Sequence, residues 1–409
     1  MDKHWIVFFL LVPLGASAIM VPASAAAVPL WQVKAASGVT LSTVAIPDDG
    51  SLVLAGGGQL MALTPSGEKL WSAWSGNTVA LSRDGSYIAA SQGTNLRLFS
   101  RDGTRLWDQY LGTMVSDVSI TPDATIIAAG GGNTIQVWYN SGVGLGINST
   151  GIVRHVRISP SKDQLIVTTD SALRSFNISC VPLWVNTTIS PDLVEISGDG
   201  TGFVIPYGNH LRLYHGSGTL LWDRTIPGGN VAAVAYSRDG STIVLGRDDG
   251  SVIVVDANNN ILWTKSVGYW PASVAVSDNG SVIAAGCLDK TIRLFDRKGD
   301  DLGSYTVSNQ IGSNSVAVSG DGSLVAATDG SYVYGFAPSP GTQETISGTA
   351  APSATPAPPV ETTVTALPTA SSPQFTSVPA TSTPASAGFP WLLAGSGLVS
   401  AAVLRRRQS

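Results

Sequence analysis

The 409-residue chain has few of the side chains that carry out chemistry: two Cys, four His and four Glu. Metal centres and acid–base sites need several such groups at one point, so the composition leaves little material for either. Only 12% of the residues are charged, and the formal net charge is −5. Without a basic field we predict no nucleic-acid partner. Two cysteines also cannot build a disulfide framework.

The first 26 residues have the pattern of a secretory signal peptide. Lys3 precedes an apolar run from Trp5 to Ala18, and small residues follow, including Ala23-Ser24-Ala25. This order of a positive start, an apolar centre and an A-x-A site is typical of exported proteins. An uncleaved anchor helix is the alternative, although Pro13 interrupts the run and the span is short for a bilayer.

Residues 339–387 have the composition of an extended stalk. Between residues 338 and 387, 38 of 50 residues are Pro, Ser, Thr or Ala, and none is Lys or Arg. Such a segment cannot bury a core and favours an extended spacer.

Residues 388–409 combine an apolar stretch up to Leu404 with the cluster Arg405-Arg406-Arg407. The positive-inside rule places that Arg cluster on the cytoplasmic side. The order of stalk, Gly388-Phe389, apolar helix and Arg cluster resembles the Pro-Gly-Phe sorting signals of archaeosortases, with Ala387 in place of the family's Pro. The resemblance implies an archaeal protein whose tail is cut and replaced by a lipid. A plain C-terminal anchor helix is the alternative, and both place the protein on the extracellular face of the envelope.

Between these ends one unit is repeated eight times. Its first half is a hairpin such as ALSRDGSYIAAS (80–91), and its second half ends in Leu-Trp, as in LRLFSRDGTRLW (96–107). The Leu-Trp or Leu-Gly positions recur every 36 to 41 residues, at 31, 71, 107, 146, 184, 222, 263 and 303. This period predicts an all-β, eight-bladed β-propeller of four-stranded antiparallel blades over residues 27–338. The eighth unit lacks a last strand, which the N-terminal element Val28–Trp31 can supply to close the ring.

The chemistry of the unit is consistent with a propeller. Asp-Gly between apolar stretches predicts a two-residue hairpin turn with positive φ at both central positions. Small pairs such as Ala89-Ala90 suit the converging sheets near an axis, whereas large rings fill the wedge at the rim. We therefore interpret six tryptophans as blade-docking residues: Trp31, Trp71, Trp107, Trp184, Trp222 and Trp263.

Two repeat families resemble this unit. AAGCLDKTIRLFD (284–296) and the SRDGS and SGDGS hairpins are similar to WD repeats, with Asp289 at the position of their structural Asp. The recurrent Asp-Gly followed by Leu-Trp is equally similar to quinoprotein-type (PQQ-like) propeller repeats. Both resemblances imply a propeller, and the second implies blade docking by Trp.

No catalytic, cofactor-binding or metal-binding residues are predicted. A quinone enzyme would need Ca²⁺ ligands and usually adjacent cysteines, whereas Cys180 and Cys287 fall three blades apart and are expected to be free thiols. His210 and His215 are five apart on one predicted strand, which places them on opposite faces. We expect these two and His155 to be unrelated surface or turn residues.

Four sequons, at Asn148, Asn177, Asn186 and Asn279, are candidate glycosylation sites, because export would make them usable. Chance occurrence of short N-x-[ST] strings is the alternative.

Together these features predict a monomeric, non-catalytic ring that binds an envelope protein or glycan at the cell surface. An exposed patch near Tyr207, Tyr269 and Trp270 would support this function. The alternatives are a quinone-dependent or lyase-type enzyme and a structural component of the envelope.

Overall fold

The computed structural model describes residues 28–73 and 76–338, and all of the regular structure there is β-strand. Thirty-two strands form eight four-stranded antiparallel sheets, which confirms the predicted eight-bladed propeller. No helix in this part of the chain is long and apolar enough to cross a membrane. The predicted signal peptide, stalk and C-terminal segment lie outside the described residues.

The strands follow one another from blade to blade. Strand β1 (Trp31–Lys34) comes first and is followed by blade 1, formed by β2 (Leu41–Ala45), β3 (Val53–Gly57), β4 (Leu60–Leu63) and β5 (Lys69–Ala73). Blade 2 is formed by β6 (Val79–Leu81), β7 (Tyr87–Gln92), β8 (Asn95–Ser100) and β9 (Arg105–Tyr110). Blade 3 is formed by β10 (Asp117–Ile120), β11 (Ile126–Gly131), β12 (Thr134–Tyr139) and β13 (Gly144–Ser149). Blade 4 is formed by β14 (Val153–Ile158), β15 (Leu165–Thr169), β16 (Leu173–Phe176) and β17 (Pro182–Asn186).

The second half of the ring has the same organisation. Blade 5 is formed by β18 (Glu195–Ile196), β19 (Gly202–Tyr207), β20 (His210–His215) and β21 (Leu220–Thr225). Blade 6 is formed by β22 (Val231–Tyr236), β23 (Thr242–Arg247), β24 (Ser251–Asp256) and β25 (Ile261–Ser266). Blade 7 is formed by β26 (Pro271–Val276), β27 (Val282–Cys287), β28 (Thr291–Asp296) and β29 (Asp301–Thr306). Blade 8 is formed by β30 (Val316–Val318), β31 (Val325–Thr328) and β32 (Tyr332–Phe336), with β1 as its outermost strand.

The ring closes through β1, as the sequence predicts. Trp31 lies opposite Gly335 in the antiparallel pair β1–β32, and Lys34 lies opposite Tyr332. Backbone hydrogen bonds extend the pairing at both ends, from Leu30 N to Gly335 O (2.8 Å) and from Ala35 N to Ser331 O (2.9 Å). The first and last strands of the ring therefore belong to one sheet.

The hydrophobic core lies between blades. Each of eight buried clusters in the described chain draws residues from two neighbouring blades. At the junction of blades 8 and 1, for example, Met61 and Leu63 pack with Val333. The paired alanines of the second strands, including Ala89 and Ala90, are fully buried. Small side chains let neighbouring sheets approach closely where they converge.

At the rim, tryptophan fills the wider gap between blades. Five indole Nε1–H groups donate to a carbonyl in the turn between the third and fourth strands of the next blade. The pairs are Trp31 to Pro65, Trp71 to Arg101, Trp107 to Asn140, Trp222 to Ala257 and Trp263 to Arg297, at 2.7 to 3.1 Å. Trp184 packs beside Gly218 in the same way, but its Nε1 has no hydrogen-bond partner in the described structure.

The prediction of two-residue Asp-Gly turns is wrong. In blade 2, Ser82 N donates to Tyr87 O (3.0 Å), so four residues form the loop, and only Gly85 has positive φ (65°). The Asp84 carboxylate instead accepts hydrogen bonds from Ser82 Oγ (2.8 Å) and Ser86 N (3.0 Å). These bonds make an Asx-type turn, in which Asp does not need the left-handed region.

The ring has two unlike faces. The turns that join the first strand to the second and the third to the fourth lie on one face, which we call the hairpin face. The blade-to-blade crossovers and the turns from second to third strands lie on the other, the crossover face.

Ring closure gives a testable prediction. A Cβ added at Gly335 would lie 2.2 Å from Trp31 Cε2, whereas one at Gly312 would meet nothing closer than Ser315 Oγ at 3.6 Å. Since neither glycine has positive φ, the two substitutions differ only in the room available for the added Cβ. We expect Gly335→Ala to lower the free energy of unfolding by about 2 kcal/mol or more, and Gly312→Ala by less than about 0.5 kcal/mol. Equal effects in urea-induced unfolding would contradict this account of closure.

Candidate binding site in the central channel

The eight first strands surround a central channel whose cavity measures about 650 Å³. Two positions of these strands repeat along the sequence. The first is valine in every blade, and six of the eight valines line the cavity, whereas Val156 and Val194 are buried between blades. The valines are Val44, Val79, Val118, Val156, Val194, Val234, Val274 and Val316. The next is alanine in five blades: Ala45, Ala80, Ala235, Ala275 and Ala317. Most of the channel wall is therefore small and uncharged.

Blades 3 to 5 depart from this rule. The position after the valine is Ser119 in blade 3, Arg157 in blade 4 and Glu195 in blade 5. The position before the valine is Asp117 in blade 3 and His155 in blade 4. We call Asp117, His155, Arg157 and Glu195 the channel ion cluster.

Arg157 holds this cluster together across three blades. Its Nη1 donates to Asp117 Oδ2 (2.6 Å) on β10, and its Nη2 donates to Glu195 Oε1 (2.9 Å) on β18. The same Nη1 also donates to Val156 O (3.0 Å), and Nε approaches Glu195 Oε2 (3.4 Å). Most guanidinium donors are thus already used, so Arg157 has little left to offer an anionic ligand.

Asp117 is the most heavily bonded member of the cluster. Its Oδ2 accepts from the Val156 N–H (3.0 Å) and lies 3.1 Å from His155 Nδ1, while its Oδ1 accepts from Val118 N (2.9 Å). Burial acts to raise the pKa of Asp117, but the positive charge of Arg157 and the hydrogen bonds from His155 and Val156 outweigh it and lower the pKa to about 2. The carboxylate is therefore ionised at neutral pH and is no general acid.

The pKa of Arg157 is raised. Burial acts to lower it, and the negative charges of Glu195 and Asp117 more than compensate. The cluster combines two carboxylates with one guanidinium and one imidazole. Lone pairs of its carboxylate oxygens remain able to accept hydrogen bonds from a ligand. These carboxylates would bind a hydrogen-bond donor, such as a hydroxyl or an ammonium group.

Ion pairs cross the channel end on the hairpin face. Asp48 of blade 1 pairs with Arg83 of blade 2 (2.5 Å) and with Arg238 of blade 6 (2.9 Å). Backbone bonds link neighbouring hairpins there, for example from Gly320 N to Asp48 O (2.9 Å). Burial and the charge of Asp48 raise the pKa of Asp278 at this end. The opposite end, on the crossover face, is lined by the uncharged side chains of Ser42, Asn77, Ser116, Ser313 and Asn314.

The crossover face exposes aromatic side chains. Tyr207 is the last residue of β19, and Tyr269 and Trp270 lie in the crossover before β26. Their exposed fractions are 40%, 53% and 42%. Tyr207 also lies under the Arg212 guanidinium, whose Cζ is 5.8 Å from the ring centroid.

The predicted histidines are not brought together. His210 Nδ1 lies 2.8 Å from Asp223 Oδ1, and His215 Nδ1 accepts from Ser217 N in a turn (3.1 Å). His155 was expected to be a surface or turn residue and instead faces the channel beside Asp117. In residues 28–73 and 76–338 no group of three or more His, Cys, Asp or Glu could hold a metal ion. Cys180 and Cys287 are both free, as predicted, and both are buried.

The four sequons lie in different surroundings. Asn186 ends β17, Asn177 lies in the turn before it, Asn148 lies on β13, and Asn279 lies in a turn on the hairpin face. The predicted sorting residues Gly388, Phe389, Arg405, Arg406 and Arg407 lie outside the described residues.

Sequence reasoning did not identify the channel ion cluster, although a signal was present. Once the eight units are aligned on their shared valine, Arg157 and Glu195 are the only charged residues at a position that is otherwise Ala or Ser. A charged residue at a repeat position that is otherwise small is therefore the sequence signal for the cluster.

Comparisons with known proteins agree with this architecture. Residues 25–163 match the family model described as outer membrane protein assembly factor BamB, of the PQQ type, and residues 268–296 match the WD domain, G-beta repeat. No curated protein matches the chain by sequence.

Several solved structures are similar in fold. The C-terminal WD40 domain of Sif2 superposes with a TM-score of 0.65 at 15% identity, covering 76% of this chain and 97% of that one. Two structures of Sqt1 from Chaetomium thermophilum give TM-scores of 0.63 and 0.62 at 14% identity, covering 76% and 73% of this chain and 98% and 95% of theirs. At such identities the likeness establishes the fold alone.

The channel ion cluster predicts a pH-dependent stability. Because the pKa of Asp117 falls from 3.8 to about 2 on folding, its ionised form stabilises the ring above pH 4, and this contribution is lost as the pH falls toward 2. We expect Asp117→Asn to lower the free energy of unfolding by about 2 kcal/mol at pH 7 and by progressively less below pH 4. Urea-induced unfolding measures both. The control is Asp300→Asn, at an exposed turn carboxylate, and a loss of the same size in that variant would contradict the assignment.

Proposed function

Since the chain is a propeller of the WD- and quinoprotein-like type, we propose that it is a non-catalytic binding module displayed on the outside of the cell envelope. In this proposal the leader directs export, the stalk spaces the ring from the membrane, and the C-terminal segment tethers it to the membrane or to a lipid. The ring binds an envelope protein or glycan through its crossover face.

The observation that carries the proposal is the contrast between the two faces. On the crossover face, Tyr207, Tyr269 and Trp270 are exposed, and the channel end is lined by Ser and Asn. On the hairpin face, the ion pairs of Asp48 with Arg83 and Arg238 cross the channel. Exposed aromatic residues favour contact with a protein or a sugar.

The channel ion cluster supports a binding role over a catalytic one. General-acid catalysis needs a carboxyl group or another acid whose pKa lies near the working pH. The pKa of Asp117 is lowered instead, and Arg157 donates its hydrogen bonds to two carboxylates. The cluster therefore ties blades 3, 4 and 5 together and gives one wall of the channel its polarity.

A pull-down with envelope extracts tests this function. The full chain is immobilised, and the double variant Tyr269→Ala/Trp270→Ala is compared with Tyr139→Ala, which removes an exposed aromatic ring from the hairpin face. We expect the wild type and Tyr139→Ala to recover the same protein or glycan, and the double variant to recover at least about tenfold less, a loss of about 1.4 kcal/mol in binding. Recovery of nothing, or equal recovery by all three chains, would sink the proposal. Protease and periodate treatment of the extract separate a protein partner from a glycan.

A further inference from the structure

The outermost strand of each blade leaves one edge of its backbone without a neighbouring strand. Such edges can pair with another chain, and proteins block this with charged side chains, lysine above all. Six of the eight outermost strands carry at least one charge. The charged residues are Lys34 on β1, Lys69 on β5, Arg105 and Asp108 on β9, Asp223 and Arg224 on β21, Lys265 on β25, and Asp301 on β29.

Strands β13 and β17, in neighbouring blades, carry no charge. Their sequences are GLGINS and PLWVN. Both expose apolar side chains, with exposed fractions of 65% for Ile147 and 53% for each of Leu183 and Val185. An uncharged edge with exposed apolar residues is the kind that associates with other chains.

Three of the four sequons lie on these same two edges. Asn148 is on β13, Asn186 is the last residue of β17, and Asn177 is in the turn that leads into β17. The fourth, Asn279, lies far from the outer edge, in the turn between the first and second strands of blade 7. Three of the sequons therefore lie on or next to the two outermost strands that carry no charge.

The three asparagines differ in the hydrogen bonds that their side-chain amides make. Asn186 uses only Oδ1, which accepts from Thr188 N (2.9 Å) and Thr188 Oγ1 (2.6 Å). Asn177 likewise uses Oδ1, which accepts from Ser179 N (3.0 Å) and Val181 N (2.9 Å). The Nδ2 of each makes no hydrogen bond within the described chain. By contrast, Asn148 Nδ2 donates to Cys180 O (2.9 Å) and ties blade 3 to blade 4.

We propose that Asn186 and Asn177 carry N-linked glycans that shield the uncharged edge of blades 3 and 4, and that Asn148 stays unmodified. In the transfer, Asn Nδ2 attacks C1 of an oligosaccharide carried on a polyprenyl phosphate. The C1–N bond forms, the C1–O bond to the phosphate breaks with the electron pair leaving on the carrier, and the Nδ2 proton passes to a base of the transferase. The inference rests on the proposed function, because it requires export.

Peptide mass mapping of the protein isolated from its own cells tests occupancy. We expect hexose-containing mass additions on the peptides of Asn186 and Asn177 and none on that of Asn148. Thr188→Val and Ser179→Ala, which keep each Asn but break its sequon, should abolish the additions one at a time. Bare Asn186 and Asn177 on a chain whose leader has been removed would overturn this inference alone. Bare sites on a chain that protease added to intact cells cannot reach would overturn the export proposal as well.

Sedimentation velocity of the unglycosylated full chain tests the shielding role. We expect concentration-dependent self-association that Val185→Lys on β17 weakens at least about tenfold. The matched control is Leu262→Lys on β25, an edge that already has Lys265, and it should leave the association unchanged. A monomeric unglycosylated chain, or equal effects of the two lysines, would contradict the shielding role.

Discussion

The packing between neighbouring blades is the interaction on which the rest of the structure depends. Eight sheets that converge on one axis must lie close together near the axis and far apart at the rim of the ring. Buried alanine pairs satisfy the first condition, and the Leu-Trp tryptophans satisfy the second by packing on the next blade's turn. Neighbouring blades pack on each other at every junction, including the one between blades 8 and 1, where a strand from the start of the chain completes the last sheet.

That constraint leaves the channel wall free to vary in one sector. Five blades keep alanine beside the shared valine, whereas blades 4 and 5 place Arg157 and Glu195 there. Arg157 joins Asp117 and Glu195 by charge-assisted hydrogen bonds, so this sector is held by ion pairing as well as by apolar packing. The outer edges differ in the same region, because β13 and β17 lack the charges that the other outermost strands have.

Most of the ring could be predicted from sequence, because a period near 40 residues, paired alanines and recurrent Trp each have one physical explanation in a propeller. The turn geometry could not, since Asp-Gly suits a two-residue turn and also the observed four-residue loop, and only the Ser and Asp side-chain hydrogen bonds decide between them. The channel ion cluster was missed for another reason. Repeats are recognised by what their units share, whereas Asp117, Arg157 and Glu195 are departures from the shared pattern.

The claim that the crossover face is the binding face is tested most directly by site-specific photo-crosslinking on intact cells. A photoreactive residue at position 269 reports on the crossover face, and one at position 298, an exposed position between β28 and β29, reports on the hairpin face. The account predicts a discrete crosslinked partner from position 269 and none from position 298. Crosslinks from position 298 alone, or the same product from both positions, would contradict it.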